Sequence, residues 1–285
     1  MSDNGKDHNL DQEVIDGFGQ EWATYNYNDS DTDEALDAQF LAYTAPIDLT
    51  IFKNSQSFAA DFGAGSGRWT SRLSPYFLKI YALEPSDGAV AVLKSKFSSN
   101  ARIEILQETV GVNSIPYKSL DLAVSLGVLH HIPDTAQAIR DVGQKLKPGG
   151  IFLCYLYYQL ENKPIAYRML FWASNLLRIG ISRLPHGMRK FVANIIASTL
   201  YFPLARISRF FGDRGKDISN FPLHHYAYMP FVMLQNDALD RFGTRLEQRF
   251  SREEISEMLR KADFDTSTLN FSDSEPFWTF SVVKL

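Results

Sequence analysis

The chain has 285 residues, of which 45% are hydrophobic, enough for one large domain or one domain with a long insertion. A single cysteine excludes an intramolecular disulfide framework and is typical of a reducing compartment. The formal net charge of −4 disfavours nucleic-acid binding, but the charge is uneven, since residues 1–40 are acidic and residues 162–212 contain basic residues and no acid.

The first residues show no export signal. Residues 1–13 are polar and acidic, without the basic start and apolar run of a secretory signal. No stretch reaches the roughly 18 uninterrupted apolar residues of a membrane span. The sequence therefore predicts a soluble, cytoplasmic protein.

A strand, a glycine-rich turn and a helix are predicted at residues 58–69. The apolar run 58–60 ends at Asp61, Gly63-Ala64-Gly65-Ser66-Gly67 follows, and a helical pattern begins at Arg68. Glycine permits a tight turn and a close ligand approach, and the first helical amides are free donors. Dinucleotide-binding turns read G-x-G-x-x-G, whereas Arg68 stands at the third small position here. A nicotinamide or flavin site is therefore less favoured than a cofactor with an ammonium group, which Asp61 would attract.

The second predicted strand ends in Glu84, followed by Pro85 and Ser86. In a βαβ unit this strand ends beside the ribose of a bound nucleotide, where a carboxylate accepts both hydroxyl hydrogens. Glu84 lies 21 residues after Gly63, close to the expected spacing of about 20 residues. The alternative is a solvated acid at a strand end.

The fourth predicted strand, residues 120–126, ends at Leu126-Gly127 and is followed by His130-His131. An α/β sheet binds its ligand at the carboxyl ends of the strands, so Leu126 and Gly127 are expected beside the reacting groups. Imidazole titrates near neutral pH, which makes His130 and His131 candidates for a general base. Local packing of both histidines is the alternative, and no metal site is predicted.

A helical pattern at 135–146 ends at Lys147-Pro148-Gly149-Gly150, and a fifth strand follows at 151–157. In this order, the motifs of residues 58–157 resemble those of class I S-adenosylmethionine-dependent methyltransferases. The nearest group is the type 11 small-molecule enzymes, which include those of ubiquinone biosynthesis. The resemblance implies S-adenosyl-L-methionine as cofactor and methyl transfer as the reaction.

The resemblance also implies roles for individual residues. Asp61 and Arg68 would meet the amino-acid end of the cofactor, and Glu84 the ribose. The full set of cofactor-binding residues is then Asp61, Gly63, Ala64, Gly65, Gly67, Arg68, Glu84, Pro85, Ser86, Leu126 and Gly127. The adenine contact is unassigned, because Gly111 stands where the family often has an acid. Phe18-Gly19-Gln20-Glu21-Trp22 is similar to an N-terminal element that closes over the cofactor, although ordinary packing explains it equally well.

The pattern of residues 250–285 predicts a helix followed by the last two strands of the sheet. Ser251 and Glu254 form a capping-box signature for a helix to about Lys261. Strands are predicted at 264–271 and 277–283, which resemble the closing hairpin of the methyltransferase sheet.

Residues 158–249 are left as an insertion. Helical patterns occur at 165–181, 189–200 and 204–211, with a break expected at Pro203. Bases alternate there with aromatic and aliphatic side chains. Such a surface is a solvated cap, a site for an anionic substrate or a face for anionic lipid headgroups.

The predicted fold is therefore a three-layer α/β Rossmann-like sheet, mostly parallel with a closing antiparallel hairpin, plus a helical cap. Residues 1–45 are expected to cover the cofactor site, residues 46–157 and 250–285 to bind S-adenosylmethionine, and residues 158–249 to form the cap.

The expected acceptor is a small molecule held under this basic cap, which favours a lipid-like or anionic compound. Residues 162–212 are candidates for contact with an anionic membrane surface, which would make the protein peripheral to the membrane. One alternative is a module that binds S-adenosylmethionine without methyl transfer. Another is a nucleotide- or NAD-binding enzyme on a related sheet. The acceptor, the methylated atom and the oligomeric state are not predicted.

Overall fold

A computed structural model gives the structure of the chain. It describes residues 9–25, 27, 32–53, 56–161, 164–218, 221–273 and 278–285. The chain divides into two compact units. We call them the sheet unit, which comprises Met1–Asn26, Gln39–Gln159 and Leu246–Leu285, and the helical unit, which comprises Tyr27–Ala38 and Leu160–Arg245.

Seven strands form one sheet in the order β3-β2-β1-β4-β5-β7-β6. Their bounds are β1 Phe58–Phe62, β2 Lys79–Leu83, β3 Ile103–Leu106, β4 Leu120–Leu126, β5 Leu146–Leu156, β6 Phe264–Phe271 and β7 Trp278–Lys284. The first five are parallel, and β7 is antiparallel to both β5 and β6. The predicted α/β fold with a closing antiparallel hairpin is confirmed. Phe277, the predicted start of the last strand, lies outside the described residues.

Ten α-helices occur in the part of the chain that the structure describes. They are α1 Gln12–Thr24, α2 Asp33–Thr44, α3 Arg68–Leu73, α4 Asp87–Phe97, α5 Thr135–Gly143, α6 Ile165–Ile181, α7 His186–Ile196, α8 Phe202–Gly212, α9 Phe231–Gly243 and α10 Arg252–Lys261. Side chains cap several of them. The predicted capping box of α10 is present, because Ser251 and Glu254 exchange side-chain to backbone hydrogen bonds.

The central strands are buried on both faces, as in a parallel sheet covered by helices. Within β1, Ala59 to Phe62 are all buried. On one side, α1 crosses α4 at a glycine pair, since a Cβ at Gly88 would collide with the Gly19 carbonyl oxygen. This close approach fixes α1 against the element that follows β2.

The helical unit differs from its prediction in two ways. The predicted break at Pro203 is wrong, because α7 continues through a π-helical turn, Ala197–Tyr201, into α8. Proline lacks an N–H, and its ring clashes with the carbonyl group four residues earlier. The wider π turn and the position of Pro203 in the first turn of α8 accommodate both effects. The second difference is α9, which the sequence analysis missed.

The continuous helix His186–Gly212 is long and apolar enough to cross a membrane by length and composition. The sequence analysis found no uninterrupted apolar run because basic residues punctuate this segment. Its first part, α7 and the π turn, packs on α9, and Ala193 and Ala197 in this part are fully buried.

Candidate cofactor and active site

The turn after β1 is a backbone arch that requires glycine at three positions. Gly63, Gly65 and Gly67 have φ angles of 81°, 54° and 79°, a region that is strained for other residues. A Cβ at each would lie closer than 3.0 Å to a neighbouring side chain. Those side chains are Val128 for Gly63, Trp22 for Gly65 and Phe97 for Gly67.

Several amides of this arch bond within the protein. The N–H groups of Gly63 and Ala64 both donate to the Leu83 carbonyl oxygen, at 2.8 and 2.9 Å. The Gly67 N–H donates to the Ala64 carbonyl oxygen at 2.9 Å. The arch is therefore tied to the end of β2, and these N–H groups are not available as donors to a ligand.

Glu84 lies directly after β2 and is buried. Its Oε2 accepts the Gly65 N–H at 3.1 Å, while its Oε1 accepts the N–H and hydroxyl of Ser86 at 3.0 and 2.6 Å. Burial raises the pKa of the Glu84 carboxyl, and the donors from Ser86 and Gly65 oppose the rise. Glu84 thus joins the glycine arch to the segment after β2, with the half-buried Pro85 between Glu84 and Ser86.

Asp61 lies in β1 and is 1% exposed. Its Oδ2 accepts the Thr70 hydroxyl at 2.6 Å, which connects the strand to α3. Burial raises the pKa of the Asp61 carboxyl to about 6, although the hydrogen bond from Thr70 opposes the shift. Asp61 is therefore mostly ionised at pH 7 and titrates just below neutral pH.

Arg68 begins α3 and lies between two indole rings. Its guanidinium carbon is 4.7 Å from the ring centroid of Trp22 and 4.8 Å from that of Trp69, within cation–π range. Trp22 of α1 therefore packs against both Arg68 and Gly65. The sequence analysis placed Arg68 at the cofactor's amino-acid end and did not foresee this stacking.

The end of β4 lies next to the end of β1. Leu126 is buried, and Gly127 follows with a φ angle of 81°. The Gly127 N–H donates to the Tyr155 carbonyl oxygen at 3.3 Å. Chain order reverses between β1 and β4, so this edge is the topological switch point where such sheets bind ligands.

His130 is fully buried beyond β4, stacked on Tyr157 with ring centroids 3.8 Å apart. Among the described residues, neither of its ring nitrogens has a hydrogen-bond partner. Burial lowers the pKa of His130 well below 6.5, and the nearby His131 and Arg249 lower it further. The His130 ring is therefore neutral at pH 7.

His131 is held by the segment before α10. Its Nδ1 lies 2.6 Å from the Leu246 carbonyl oxygen, an arrangement that favours the tautomer with the proton on Nδ1. The Gln248 N–H donates to the His130 carbonyl oxygen at 3.0 Å, which fixes the same turn. Both histidines are structural parts of this turn, and their role as a general base stays a prediction.

Replacing His130 with phenylalanine is expected to make the fold less sensitive to acid. Burial lowers the pKa of His130 in the folded protein below its value in the unfolded chain. The neutral ring therefore contributes its full stability above about pH 6.5, and this contribution is lost as the pH falls toward the folded-state pKa. The wild type should lose up to about 1.4 kcal/mol per pH unit through this group. Urea unfolding of both proteins between about pH 8 and pH 5 measures the difference, and a difference that does not change with pH contradicts the prediction.

An aromatic and charged cluster surrounds this turn. Tyr155 and Tyr157, at the end of β5, have ring centroids 5.7 Å apart. The guanidinium carbon of Arg249 is 4.8 Å from the Tyr157 centroid, and its Nε bonds the buried Glu247 carboxylate at 2.8 Å. The sequence analysis treated the tyrosines as strand and assigned Arg249 to the insertion. The sequence signal that could have predicted this cluster was the pair of tyrosines at the end of an apolar strand.

The comparisons with known proteins agree with this geometry. Residues 60–154 match the family model of a methyltransferase domain. An uncharacterised methyltransferase of Geobacillus sp. (strain WCH70) is 27% identical over 136 residues, which cover 47% of this chain and 62% of the relative. Residues 60–154 therefore form a methyltransferase domain. The cofactor of this domain is S-adenosylmethionine.

The matches to relatives are partial. The uncharacterised methyltransferase YcgJ of Bacillus subtilis is 30% identical over 105 residues, 36% of this chain and 41% of the relative. The chain thus spans less than two thirds of the length of either relative. Magnesium protoporphyrin IX methyltransferase of Synechocystis PCC 6803, solved with bound SAH, matches 96% of this chain and 100% of its own, at 12% identity and a TM-score of 0.55. At that identity the likeness shows the methyltransferase fold alone.

The residues present fit S-adenosylmethionine. The carboxylate of Glu84 has about four lone-pair positions, and its donors use one on Oε2 and two on Oε1, so Oε2 can also accept a ribose hydroxyl. The Ser66 hydroxyl in the arch is buried and has no hydrogen-bond partner among the described residues. Such an atom is costly to bury unless a ligand or water bonds it.

The adenine side offers a second such atom. Asn113 donates to the Val110 carbonyl oxygen at 2.8 Å, which leaves its Oδ1 buried without a partner in the described part of the chain. Glu108 instead accepts the N–H and hydroxyl of Ser114, at 2.7 and 2.9 Å. Asn113 is therefore better placed than Glu108 to bond a ligand in this loop.

Proposed function

We propose that the chain transfers a methyl group from S-adenosylmethionine to a small-molecule acceptor. The observation that carries the proposal is the bond between the buried Glu84 carboxylate and the Gly65 N–H, 3.1 Å long, at the ligand-binding edge of the sheet. It brings together the two motifs that recognise a nucleoside, the acid after β2 and the glycine arch after β1. The match of residues 60–154 to a methyltransferase domain supports the same conclusion.

Four of the predicted cofactor-binding residues have a proposed task. When bound, S-adenosylmethionine supplies an electrophilic methyl group on its sulfonium. Glu84 would accept a ribose hydroxyl, and Asp61 would attract the ammonium group, because the Asp61 carboxylate is ionised at neutral pH. Leu126 and Gly127, where β4 ends, would border the reacting centre. The chain's main contribution is then to position the acceptor and exclude water.

The acceptor side is proposed at Tyr155, near the end of β5, and at Tyr157, just after it, because the Tyr155 carbonyl oxygen accepts the Gly127 N–H. Their rings favour an acceptor with a planar or apolar part. We also propose that the acceptor is lipid-like or anionic and that the helical unit retains it. Both proposals rest on the basic composition of residues 162–212.

A general base is needed only for an acceptor of high pKa. His130 is a poor candidate in this arrangement, because its lowered pKa makes it a weak base at pH 7. We therefore favour His131, whose Nδ1 is oriented by the Leu246 carbonyl so that Nε2 carries the lone pair.

Cofactor affinity is expected to fall in acid as Asp61 becomes protonated. With a pKa of about 6, the ionised fraction of Asp61 drops about tenfold between pH 7 and pH 5, and the affinity should fall in proportion. Calorimetry with S-adenosylmethionine across this range measures the midpoint. Thr70→Val removes a hydrogen bond that lowers this pKa, so it should move the midpoint to higher pH. If neither Thr70→Val nor Asp61→Asn changes the pH midpoint of cofactor binding, Asp61 does not recognise the ammonium group.

Two experiments separate the proposal from its alternatives. Calorimetry of the wild type with S-adenosylmethionine and with NADH tests the cofactor, and preferential binding of NADH would overturn the methyltransferase proposal. Incubation with S-adenosylmethionine carrying a tritiated methyl group, and a panel of phenols, quinols and sugars, tests the transfer. Tight binding with no labelled product from the panel favours the non-catalytic module.

A further inference from the structure

An unusually apolar surface covers the outer side of α6 and α7. On α6 it consists of Ile165, Met169, Trp172 and Leu176, at spacings of four, three and four residues that place them on one helical face. On α7 it consists of Met188, Phe191 and Ile195. All seven are between 45% and 74% exposed. We call these seven side chains the apolar face.

The opposite sides of both helices are anchored to α9. Arg178 of α6 donates to the carbonyl oxygens of Thr244 and Arg245, at 2.8 and 3.1 Å. Arg189 of α7 donates to the Gly243 carbonyl oxygen at 2.9 Å. These three carbonyls lie at the C-terminal end of α9, where a helix leaves such groups without intrahelical partners. Residues 182–185 join the two helices, and both helices pack on α9, so their exposed apolar side chains lie on the parts that α9 does not cover.

The charge of residues 162–212 favours an anionic partner. Residues 162–212 contain no acid. Arg178, Arg189 and Arg206 hold carbonyl groups inside the unit and serve the fold. Arg168 in α6 and Arg183 in the joining turn are exposed and form no ion pair within the described residues. These two guanidinium groups therefore border the apolar face at solvent.

Large apolar side chains with a central tryptophan, bordered by arginines and lacking acids, are typical of a helix that lies in the headgroup region of a membrane. The continuous helix 186–212 has the length of a membrane span. Yet one of its sides is committed to α9, and Arg189 and Arg206 are bonded within the unit. These contacts fit a helix that lies along a membrane better than one that crosses it.

We propose that the apolar face binds the surface of an anionic lipid bilayer, with Trp172 and Phe191 inserted at the headgroup level and Arg168 and Arg183 on lipid phosphates. The binding is independent of methyl transfer. It would bring the protein to lipid-soluble compounds, without requiring that they be its acceptors.

The test uses the full chain and sedimented vesicles of phosphatidylcholine, with and without about 30% phosphatidylglycerol. Wild type is expected to bind the anionic vesicles at least about tenfold more tightly than the neutral ones. Trp172→Ser with Phe191→Ser should reduce binding to both kinds of vesicle about tenfold or more, since the variant lacks the two large apolar side chains that would insert into the bilayer. Arg168→Gln with Arg183→Gln should remove most of the preference for anionic vesicles.

Leu41→Ser is the matched control, because Leu41 is 69% exposed but lies in α2, outside the apolar face. It should leave vesicle binding unchanged. Trp172→Phe should retain binding but lose the blue shift of fluorescence that vesicles cause. S-adenosylmethionine calorimetry on every variant separates a failure of this proposal from a failure of the proposed function, since none of the substituted residues lies at the cofactor site.

Three results would overturn the proposal. One is a folded wild type that does not sediment with anionic vesicles. Another is equal binding by wild type and the Trp172→Ser, Phe191→Ser variant. The third is a wild-type dimer in analytical ultracentrifugation that the same variant converts to a monomer, which would assign the apolar face to a second copy of the chain.

Discussion

Glu84→Gln is expected to weaken the binding of S-adenosylmethionine by about 10- to 150-fold. The substitution keeps the shape of the side chain and one carbonyl oxygen for the Gly65 N–H, but it removes the negative charge that would accept a ribose hydroxyl. Hydrogen bonds to a charged group are worth about 1.5–3 kcal/mol, and this sets the expected range. Isothermal calorimetry at about pH 7.5 measures the loss directly, well above the pH range in which Asp61 titrates.

The control for Glu84 is Glu104→Gln on the neighbouring strand β3. Glu104 is a half-exposed acid that pairs with Lys79 on the sheet, so its loss should leave cofactor affinity within about twofold of wild type. Thermal unfolding of each variant shows whether the fold is retained. A folded Glu84→Gln protein with unchanged affinity would mean that the acid after β2 serves only to join the two loops.

Much of the sheet could be predicted because buried parallel strands have a simple sequence pattern. Buried strands appear as short apolar runs, and Asp61, Glu84 and Gly127 come where three of those runs end. The carboxyl ends of parallel strands meet at one edge, so the order of motifs along the chain was enough to place these candidate residues at that edge.

What the side chains of the site touch could not be predicted in the same way. Nothing in the sequence shows that Trp22 packs on Gly65 and Arg68, because that contact depends on where α1 crosses α4. The burial of His130 against Tyr157 is likewise a tertiary effect. Its pKa is set by that burial, and the interpretation of this histidine as a base used the pKa of an exposed imidazole.

The helical unit shows the limit of local signals. Pro203 is predicted as a helix breaker by its own chemistry, yet the helix continues through a π turn, and that turn and α7 pack on α9. No helix was predicted at residues 231–243, which form α9 and pack against α6 and α7. Both differences lie in a unit whose helices are stabilised by contacts that are distant in the sequence.

Gly67→Ala is expected to lower the free energy of unfolding by about 2–5 kcal/mol. Two effects add: a left-handed conformation costs a non-glycine residue about 1–2 kcal/mol, and an added methyl group in a packed site costs about 1–3 kcal/mol. Gly67 has a φ angle of 79°, and its new Cβ would collide with the Phe97 ring and approach Leu93. Urea unfolding followed by circular dichroism measures the change.

Gly149→Ala separates these two effects. Gly149 has nearly the same φ angle, 82°, but a Cβ there would meet nothing within 4 Å. It should therefore cost only the backbone part, about 1–2 kcal/mol. The difference between the two variants measures how tightly the glycine arch packs on α4. Equal losses would mean that Phe97 moves aside freely, so that Gly67 is required for the turn alone and not for close packing.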